Sequence, residues 1–206
     1  MIVIVDYGVG NLFSLCASLR HLGFACTVTG EEAALCAADR VILPGVGAFG
    51  DAMRKLRESS LVPALDALVR EGKPLLGICL GMQLLFERST EYGEWAGLGY
   101  IPGSVEPLAP DLPPGLKVPH IGWNALRILD ADEPLLRHVR EGDFVYYVHS
   151  YYAKACGDAV KACAEYGVPV PGVVRRGSVA GTQFHPEKSG AAGLSILRAF
   201  AEGGSE

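Results

Sequence analysis

The chain has 206 residues, a formal net charge of −5 at pH 7 and a hydrophobic share of 50%. This composition excludes a disordered or fibrous protein, and the length suits one large domain with a sizeable core. The acidic balance, with no cluster of lysine and arginine beyond pairs such as Arg175-Arg176, argues against nucleic acid as the main partner.

The N-terminus has no basic lead, and its apolar stretch meets a carboxylate at Asp6. It therefore predicts a buried strand and not a signal peptide. No apolar run approaches the roughly 18 residues that would span a bilayer. With no export signal and no Cys-x-x-Cys pair, we expect a cytoplasmic protein with free thiols at its six cysteines, namely Cys16, Cys26, Cys36, Cys79, Cys156 and Cys163.

The first half of the chain alternates predicted strands and helices. Apolar runs predict strands at residues 2–5, 25–29, 40–43 and 75–78. Helical spacing covers residues 12–22, 48–58, 61–70 and 82–87, with Asn11 as the expected N-cap of the first helix. This order favours a parallel sheet with helices on both faces.

The second half has a different pattern. Glycine and proline are frequent in residues 91–115, and helical periodicity is lost there. Short strands are predicted at residues 144–148, 159–164, 172–175 and 179–184, followed by a closing helix at 190–201. Arg176-Gly177 predicts a hairpin turn between the last two strands. We therefore expect a single α/β domain over residues 1–206, with a mainly parallel central sheet and antiparallel strands in its C-terminal half.

The most informative motif is Gly77-Ile78-Cys79-Leu80-Gly81, a nucleophile elbow with cysteine in the serine position. Glycines two residues either side of Cys79 remove the side chains that would clash where a strand turns abruptly into a helix. A thiol at a helix N-terminus is favoured as thiolate, which is the attacking form. The alternative for Cys79 is a small buried hydrophobic residue, an interpretation that also fits Cys16, Cys26 and Cys163.

A base for this nucleophile stands near the C-terminus, in His185-Pro186-Glu187. In extended backbone, residues two apart leave on the same side, and Pro186 holds His185 away from helix. A carboxylate at Glu187 can then orient one imidazole nitrogen and leave the other to face Cys79. Alone, His185 would be interpreted as a polar residue at a strand end. The elbow upstream favours the catalytic interpretation.

Backbone donors for an oxyanion are expected from Pro44-Gly45-Val46-Gly47, a loop after a strand that a parallel sheet can place beside the elbow. The loop lacks the Lys-Ser/Thr of a phosphate-binding loop. Gly8-Val9-Gly10 lacks the third glycine of a dinucleotide site, so a tight turn is the better interpretation there.

The loop at residues 44–47, the elbow around Cys79 and the His185-Pro186-Glu187 motif together resemble the class I (triad) glutamine amidotransferases. The resemblance extends over residues 2 to about 200. Within that family, further motifs resemble the branch of glutaminase subunits of imidazole glycerol phosphate synthase, in histidine biosynthesis. They are Asp6-Tyr7-Gly8-Val9-Gly10-Asn11, Pro119-His120-Ile121-Gly122-Trp123-Asn124, His149-Ser150-Tyr151 and Lys188. Ser150 replaces a threonine found in some members and keeps the hydroxyl.

The resemblance implies a flavodoxin-like fold and hydrolysis of glutamine to glutamate and ammonia through a cysteine thioester. It assigns catalysis to Cys79, His185 and Glu187. It assigns the oxyanion hole to backbone of Val46, Gly47 and Leu80, with one loop peptide reorienting to complete it. It assigns glutamine binding to Gly45, Gln83, Glu91, Ser150 and Tyr151. The residues alone would not single out these positions: the alternatives are a solvated helix residue for Gln83, a loop carboxylate for Glu91 and an ordinary strand aromatic for Tyr151.

The chain has no site where ammonia would be used, and the resemblance implies a separate cyclase subunit, a (β/α)8 barrel, that receives ammonia through a tunnel in a heterodimer. It implies neither metal nor cofactor. Positions matched to that contact are Asn11, His120, Trp123, Asn124, Tyr146 and Lys188. For Trp123, a core aromatic is the alternative.

Three other functions stay open at this point. The first is a triad amidotransferase subunit serving anthranilate, pyridoxal phosphate or guanylate synthesis. The second is a cysteine hydrolase of the related α/β class. The third is a non-catalytic module on the same fold. Gly122-Trp123-Asn124 argues against the first, Gln83 and the His185-Pro186-Glu187 motif against the second, and the intact triad against the third.

Overall fold

The computed structural model describes residues 1–203, which form six α-helices and fourteen strands. The helices are α1 (Leu12–His21), α2 (Glu32–Cys36), α3 (Phe49–Glu58), α4 (Val62–Arg70), α5 (Leu80–Leu84) and α6 (Gly190–Glu202). The strands are β1 (Ile2–Val5), β2 (Cys26–Thr29), β3 (Arg40–Gly45), β4 (Leu75–Cys79), β5 (Phe86–Ser89), β6 (Trp95–Ala96), β7 (Ile101–Pro107), β8 (His120–Ala125), β9 (Arg127–Ile128), β10 (Phe144–His149), β11 (Tyr151–Lys154), β12 (Val160–Glu165), β13 (Pro169–Arg176) and β14 (Val179–Thr182).

The central sheet has eight strands in the order β2-β1-β3-β4-β14-β13-β12-β9. Strands β2, β1, β3, β4 and β14 are parallel, whereas β13, β12 and β9 run antiparallel to their neighbours. Arg176 pairs with Val179, so the hairpin predicted at Arg176-Gly177 is confirmed. The mixed, mainly parallel sheet expected from the sequence is confirmed as well.

Strand alternation divides the sheet between two hydrophobic cores. Val3 and Val5 pack with α3 and α4 on one face, while Ile2 and Ile4 pack with α1 and α6 on the other. Because successive strand residues point to opposite faces, an unbroken apolar run such as β1 fills both cores. Helices therefore cover both faces of the sheet, as predicted.

A two-stranded ribbon, β8 with β10, lies outside the central sheet and carries one buried and one exposed face. Ile121, Trp123 and Tyr146 form the exposed side, which we call the ribbon face. The backbone of Tyr146 ties the ribbon to the C-terminal segment. Its N–H donates to Ser189 Oγ at 3.0 Å, and its carbonyl accepts the His185 N–H at 3.1 Å.

Several local predictions were wrong. The helix expected over residues 82–87 ends at Leu84, because Phe86 pairs with Ile101 and begins a strand of a second, four-stranded sheet (β11-β7-β5-β6). Long-range pairing here outweighs helix propensity. Strands β6, β7, β8, β9 and β11 were not predicted either. Asn11 occupies the N-cap position of α1, but its side chain makes no capping hydrogen bond.

Within residues 1–203, no helix combines the length and apolar character that crossing a membrane requires.

Candidate active site

Cys79 stands at the point where β4 turns directly into α5. Its φ of 55° and ψ of −113° lie outside the helix and strand regions, and its side chain is 8% exposed. A Cβ on Gly77 would lie 2.6 Å from the carbonyl oxygen of Gly81, and a Cβ on Gly81 would collide with the carbonyl of Leu43. The elbow therefore requires glycine at both positions, as the motif predicted.

His185 and Glu187 form a buried pair beside this elbow. Nδ1 of His185 donates to Glu187 Oε1 at 2.8 Å, and the two side chains are 4% and 1% exposed. His185 is extended, but Glu187 lies in a single 3-10 turn, Pro186–Lys188. The same-side geometry predicted from a fully extended backbone was therefore wrong in detail, and the turn brings the two groups together instead.

The charge state of His185 follows from its surroundings. Burial opposes protonation, but hydrogen bonding to Cys79 and Glu187 and the negative charges of both raise the pKa of His185 to about 9. At neutral pH His185 is therefore held as a cation beside the sulfur of Cys79. This is the pairing that a cysteine nucleophile needs.

The loop at residues 44–47 includes the last two residues of β3 and lies next to the elbow. Gly45 is in register with Cys79 on the neighbouring strand, and a Cβ on Gly45 would lie 2.5 Å from the backbone nitrogen of Gly81. The hydroxyl of the buried Tyr7 donates to the carbonyl of Pro44 at 2.8 Å. Burial and the nearby Cys79 thiolate raise the pKa of Tyr7, so this hydroxyl keeps its proton. Tyr7 thereby holds the first residue of the loop.

Gln83 lies one helical turn beyond Cys79, and both of its amide protons are used inside the protein. Nε2 donates to the carbonyl of Tyr151 at 2.9 Å and to Gln183 Oε1 at 3.0 Å. Gln183 in turn places its own Nε2 at 4.0 Å from Cys79 Sγ. Gln83 therefore offers a ligand only its carboxamide oxygen, which is an acceptor.

Glu91 caps the N-terminus of α3, although it lies far from that helix in the sequence. Its Oε2 accepts the backbone N–H of Phe49, the first residue of α3, at 2.6 Å. Burial raises the pKa of Glu91, and the hydrogen bond from Phe49 opposes that rise. The backbone of Glu91 is fixed as well, since Trp95 Nε1 donates to its carbonyl at 2.9 Å. A loop carboxylate is thus rigidly presented at the wall of a cavity.

The cavity that joins these groups has a volume of about 380 Å³. Ten of the residues singled out from the sequence line it, namely Val46, Gly47, Cys79, Leu80, Gln83, Glu91, Ser150, Tyr151, His185 and Lys188. Gly45, which is part of the loop, and Glu187, which is hydrogen-bonded to His185, do not line the cavity. The groups are thus brought together from β3, β4, α5, the β10–β11 corner and the C-terminal segment.

Of the remaining residues singled out from the sequence, four belong to the ribbon, and Asn11 directly precedes α1. Trp123 is 52% exposed and contacts Tyr146 edge-on at 5.8 Å between ring centroids, so the core-aromatic alternative for Trp123 was wrong. His120 is wholly buried. Asn124 is half-buried, and its Nδ2 donates to the carbonyl of Glu165. Asn11 is partly exposed at the start of α1.

Four further residues belong to this site and received no role from the sequence. Pro119 and His149 line the cavity, Gln183 approaches Cys79, and Tyr7 holds Pro44. The sequence could have indicated Gln183, because it stands two residues before His185 in the segment that follows β14, and such a spacing can place two side chains on the same side. Tyr7 had none, because its contact with Pro44 spans 37 residues.

The arrangement suits attack on an amide or ester carbonyl. It joins an elbow cysteine, a cationic imidazole able to protonate a leaving group, and a loop adjoining the elbow whose backbone N–H groups can meet an oxyanion. The cavity volume accommodates a substrate about the size of an amino acid.

Comparison with known proteins agrees with this geometry. The family described as glutamine amidotransferase class-I matches residues 3–202. A Bacillus cereus protein, imidazole glycerol phosphate synthase subunit HisH, is 49% identical over 97% of this chain and 93% of its own length. The HisH subunit of Lacticaseibacillus casei is 50% identical over 98% of this chain and 95% of its own.

Solved structures with the same fold are more distant in sequence. A structure titled "Crystal structure of glutamine amidotransferase" superposes with a TM-score of 0.75 at 21% identity and 98% coverage of both chains. PurLQS from Thermotoga maritima gives a TM-score of 0.75 at 20% identity, covering 98% of this chain and 97% of that one. At such identities the likeness concerns the fold alone.

Proposed function

The chain belongs to the class-I glutamine amidotransferase family, and we propose that it hydrolyses glutamine at Cys79 as the glutaminase subunit of imidazole glycerol phosphate synthase. The observation that carries this proposal is the elbow cysteine facing a buried His185–Glu187 pair in a cavity of amino-acid size. The near-50% identity to HisH subunits over almost the whole chain supports the histidine-biosynthetic assignment.

The proposed reaction begins with attack of the Cys79 thiolate on the side-chain amide carbon of glutamine. The oxyanion is met by backbone N–H groups of the Val46–Gly47 region and of Leu80. His185 donates its proton to the departing nitrogen, so that ammonia leaves and a thioester remains on Cys79. His185 then takes a proton from water, whose hydroxide displaces glutamate and restores the thiolate.

Glutamine recognition is proposed to use charges and acceptors on opposite walls of the cavity. The carboxylate of Glu91 and the free carboxamide oxygen of Gln83 are acceptors, which suit an α-ammonium group. The backbone of Ser150 and Tyr151 at the β10–β11 corner suits the α-carboxylate. Gly45 lets the loop approach the elbow closely enough to close the cavity.

Ammonia is proposed to pass to a cyclase subunit, a (β/α)8 barrel, in a heterodimer. The ribbon face offers two apolar side chains at its centre, Ile121 at 57% and Trp123 at 52% exposure, a composition typical of interfaces. Lys188 lines the cavity and directly follows Glu187 in the chain. We therefore propose that Lys188 lies where the cavity opens toward the partner subunit. Asn11, His120 and Asn124 complete the proposed contact, with His120 acting from behind the surface.

We place this activity in the cytoplasm, whose reducing conditions keep the six free cysteines as thiols.

A glutaminase assay with and without the cyclase and its substrate tests the proposal. We expect little hydrolysis by the isolated chain, strong activation by the loaded cyclase, and co-purification of the two subunits. A glutamine-like electrophile should label Cys79, and Cys79→Ala should abolish labelling, whereas Cys36→Ala at an exposed thiol should retain it. Activation instead by an anthranilate, pyridoxal phosphate or guanylate synthase subunit would assign the chain to a different amidotransferase.

A further inference from the structure

Two cysteines outside the cavity place their sulfur atoms in contact. Sγ of Cys16, in the middle of α1, lies 3.2 Å from Sγ of Cys26, the first residue of β2. Over residues 1–203, no other two cysteines are in sulfur–sulfur hydrogen-bond contact. Neither residue lines the cavity that holds Cys79, so the contact has no part in the reaction described above.

Regular secondary structure carries both thiols. The chain turns back after α1, where the backbone N–H of Phe24 donates to the carbonyl of Leu19 at 2.9 Å. Cys26 then pairs in parallel register with Ile2 of β1. Cys16 belongs to the hydrophobic core between α1 and the sheet. The closeness of the two sulfurs therefore follows from the packing of α1 beside β2.

The separation of the sulfurs suits a disulfide bond. An S–S bond is about 2.0 Å long, so the two sulfurs need to approach each other by only about 1 Å for the bond to form. As thiols, they share at most one S–H···S hydrogen bond, and a thiol is a weak donor and a weak acceptor. Only a weak interaction is therefore lost when a covalent bond replaces this contact.

The two thiols differ in their access to solvent. Cys26 is partly exposed, whereas Cys16 is only 8% exposed. An oxidant in solution can therefore reach Cys26, while Cys16 is placed to react with Cys26 from within the protein. A thiol that reacts first and a second thiol that resolves the product are the two parts that a reversible cysteine oxidation needs.

The surroundings of Cys26 make its oxidation slow near neutral pH. Burial raises the pKa of the Cys26 thiol to about 11, the hydrogen bond and charge of Cys16 add to this rise, and the Arg20 guanidinium opposes it. Because the thiolate is the reacting form, little of the reactive species is present at pH 7. The pair therefore differs from a fast redox sensor, and sustained oxidation is needed to change its state.

We propose that Cys16 and Cys26 form a reversible disulfide on reaction with small disulfide compounds such as oxidised glutathione, and that this bond staples α1 to β2. In the first step, the Cys26 thiolate attacks one sulfur of the oxidant and expels a thiolate, which leaves a mixed disulfide on Cys26. The Cys16 thiolate then attacks the Cys26 sulfur and expels the second thiolate. The two cysteines lose two electrons and two protons in total, and the oxidant becomes two thiols.

The bond would strengthen an edge of the central sheet. β2 is the end strand, next to β1, and therefore has a strand neighbour on one side only. A link from Cys26 to Cys16 fastens this strand to the helix that packs beside it, and it also restricts the unfolded chain. The inference stands apart from the reaction at Cys79, because neither thiol belongs to that site.

Peptide mapping of the full-length chain tests the bond. The folded protein is kept with excess oxidised glutathione at about pH 8.5, where more thiolate is present. It is then unfolded in an alkylating agent and cut with trypsin, which separates Cys16 (residues 1–20) from Cys26 and Cys36 (residues 21–40). We expect these two peptides to be linked in the unsubstituted chain and in Cys36→Ser, but not in Cys26→Ser. A Cys26 that stays free, or that carries only glutathione, would overturn the proposal, as would a link that survives in Cys26→Ser.

Thermal unfolding tests the effect of the staple. After removal of free glutathione, the oxidised chain should have a Tm about 5 °C above that of the reduced chain, the order expected when a disulfide closes a loop of roughly ten residues. A reducing agent should abolish the gain. Cys36→Ser should show the full gain, whereas Cys26→Ser, which keeps any adducts on the other thiols but lacks the link, should show none. A linked chain with an unchanged Tm would reject the stabilising role.

Discussion

Glu187 accepts the Nδ1 proton of His185 with one carboxylate oxygen, while its other oxygen, Oε2, is buried and has no hydrogen-bond partner among residues 1–203. An ionised carboxylate with a single partner concentrates its interaction on that partner. The hydrogen bond thus does more than orient the imidazole, because His185 also provides the main interaction that offsets the cost of burying the Glu187 carboxylate.

Glu187→Gln is expected to reduce kcat by roughly 10²- to 10⁴-fold, the usual contribution of an aligned acid–base group. The amide cannot hold the imidazole as a cation, so the pKa of His185 should fall below its value of about 9. Steady-state glutaminase kinetics of the activated complex and NMR titration of His185 measure the two effects. An unchanged His185 titration would contradict this account of the pair.

Stability should depend on pH through His185. Its folded-state pKa of about 9 exceeds its ordinary value near 6.5, so folding takes up a proton between these values. The stabilisation is therefore complete below about pH 6.5 and is lost as the pH rises through 9. Urea unfolding between pH 6 and 10 should show this loss. Cys79→Ser removes the thiolate that helps to raise the pKa, and the loss should then begin at lower pH.

Tyr7→Phe removes the hydroxyl that holds the Pro44 carbonyl and should lower stability by about 1 kcal/mol, the net value of a typical hydrogen bond. Because Pro44 begins the loop beside the elbow, kcat should fall more than KM changes. Tyr152→Phe, which loses a hydroxyl bonded to Asp111 away from the loop, is the matched control and should retain kcat. Equal kcat for both variants would mean that Tyr7 supports the fold only.

Gly81→Ala should destabilise the protein by about 3 kcal/mol or more, since the new methyl group meets a backbone carbonyl that cannot move aside. Gly72→Ala provides the comparison. Gly72 has a φ of +72° but no neighbouring atom within 4 Å, so only the backbone strain of about 1–2 kcal/mol applies. Denaturant unfolding of both variants measures the difference. Similar values would show that the elbow relaxes around the added methyl group.

Trp123→Ala should weaken binding of the cyclase by about 2 kcal/mol or more, as expected for an exposed tryptophan at the centre of an interface. Its thermal stability should be nearly unchanged, because the indole is half exposed. Val28→Ala, on the edge strand β2, is a control that should leave binding unchanged. Calorimetric titration with the cyclase distinguishes the two, and normal affinity of Trp123→Ala would place the interface elsewhere.

The parts of the fold that the sequence predicted depend on local chemistry. Gly77 and Gly81 define the elbow because each clears a backbone contact within a few residues or on the adjacent strand. The turn at Arg176-Gly177 and the strand–helix alternation of the first half are local patterns of the same kind. Such features need no knowledge of the tertiary structure.

The unpredicted parts depend on pairing between distant segments. Phe86 begins a strand only because β7 is available beside it, and the sequence around Phe86 favours helix. Gln183 meets Gln83 and Cys79 across about 100 residues of chain. His120 was expected at the partner contact from a motif alone, and its burial between two tyrosine rings depends on the register of β8 with β10.

The two hydrogen bonds of the Tyr146 backbone have a mechanical consequence. The side chain of Tyr146 lies on the ribbon face, while its carbonyl holds the backbone N–H of His185 and its N–H holds Ser189. The outer surface and the backbone of His185 are therefore joined by one peptide unit and one hydrogen bond. We therefore expect that a movement of the ribbon, such as one caused by a bound partner, also changes the position of the His185 backbone and of the catalytic base that it carries.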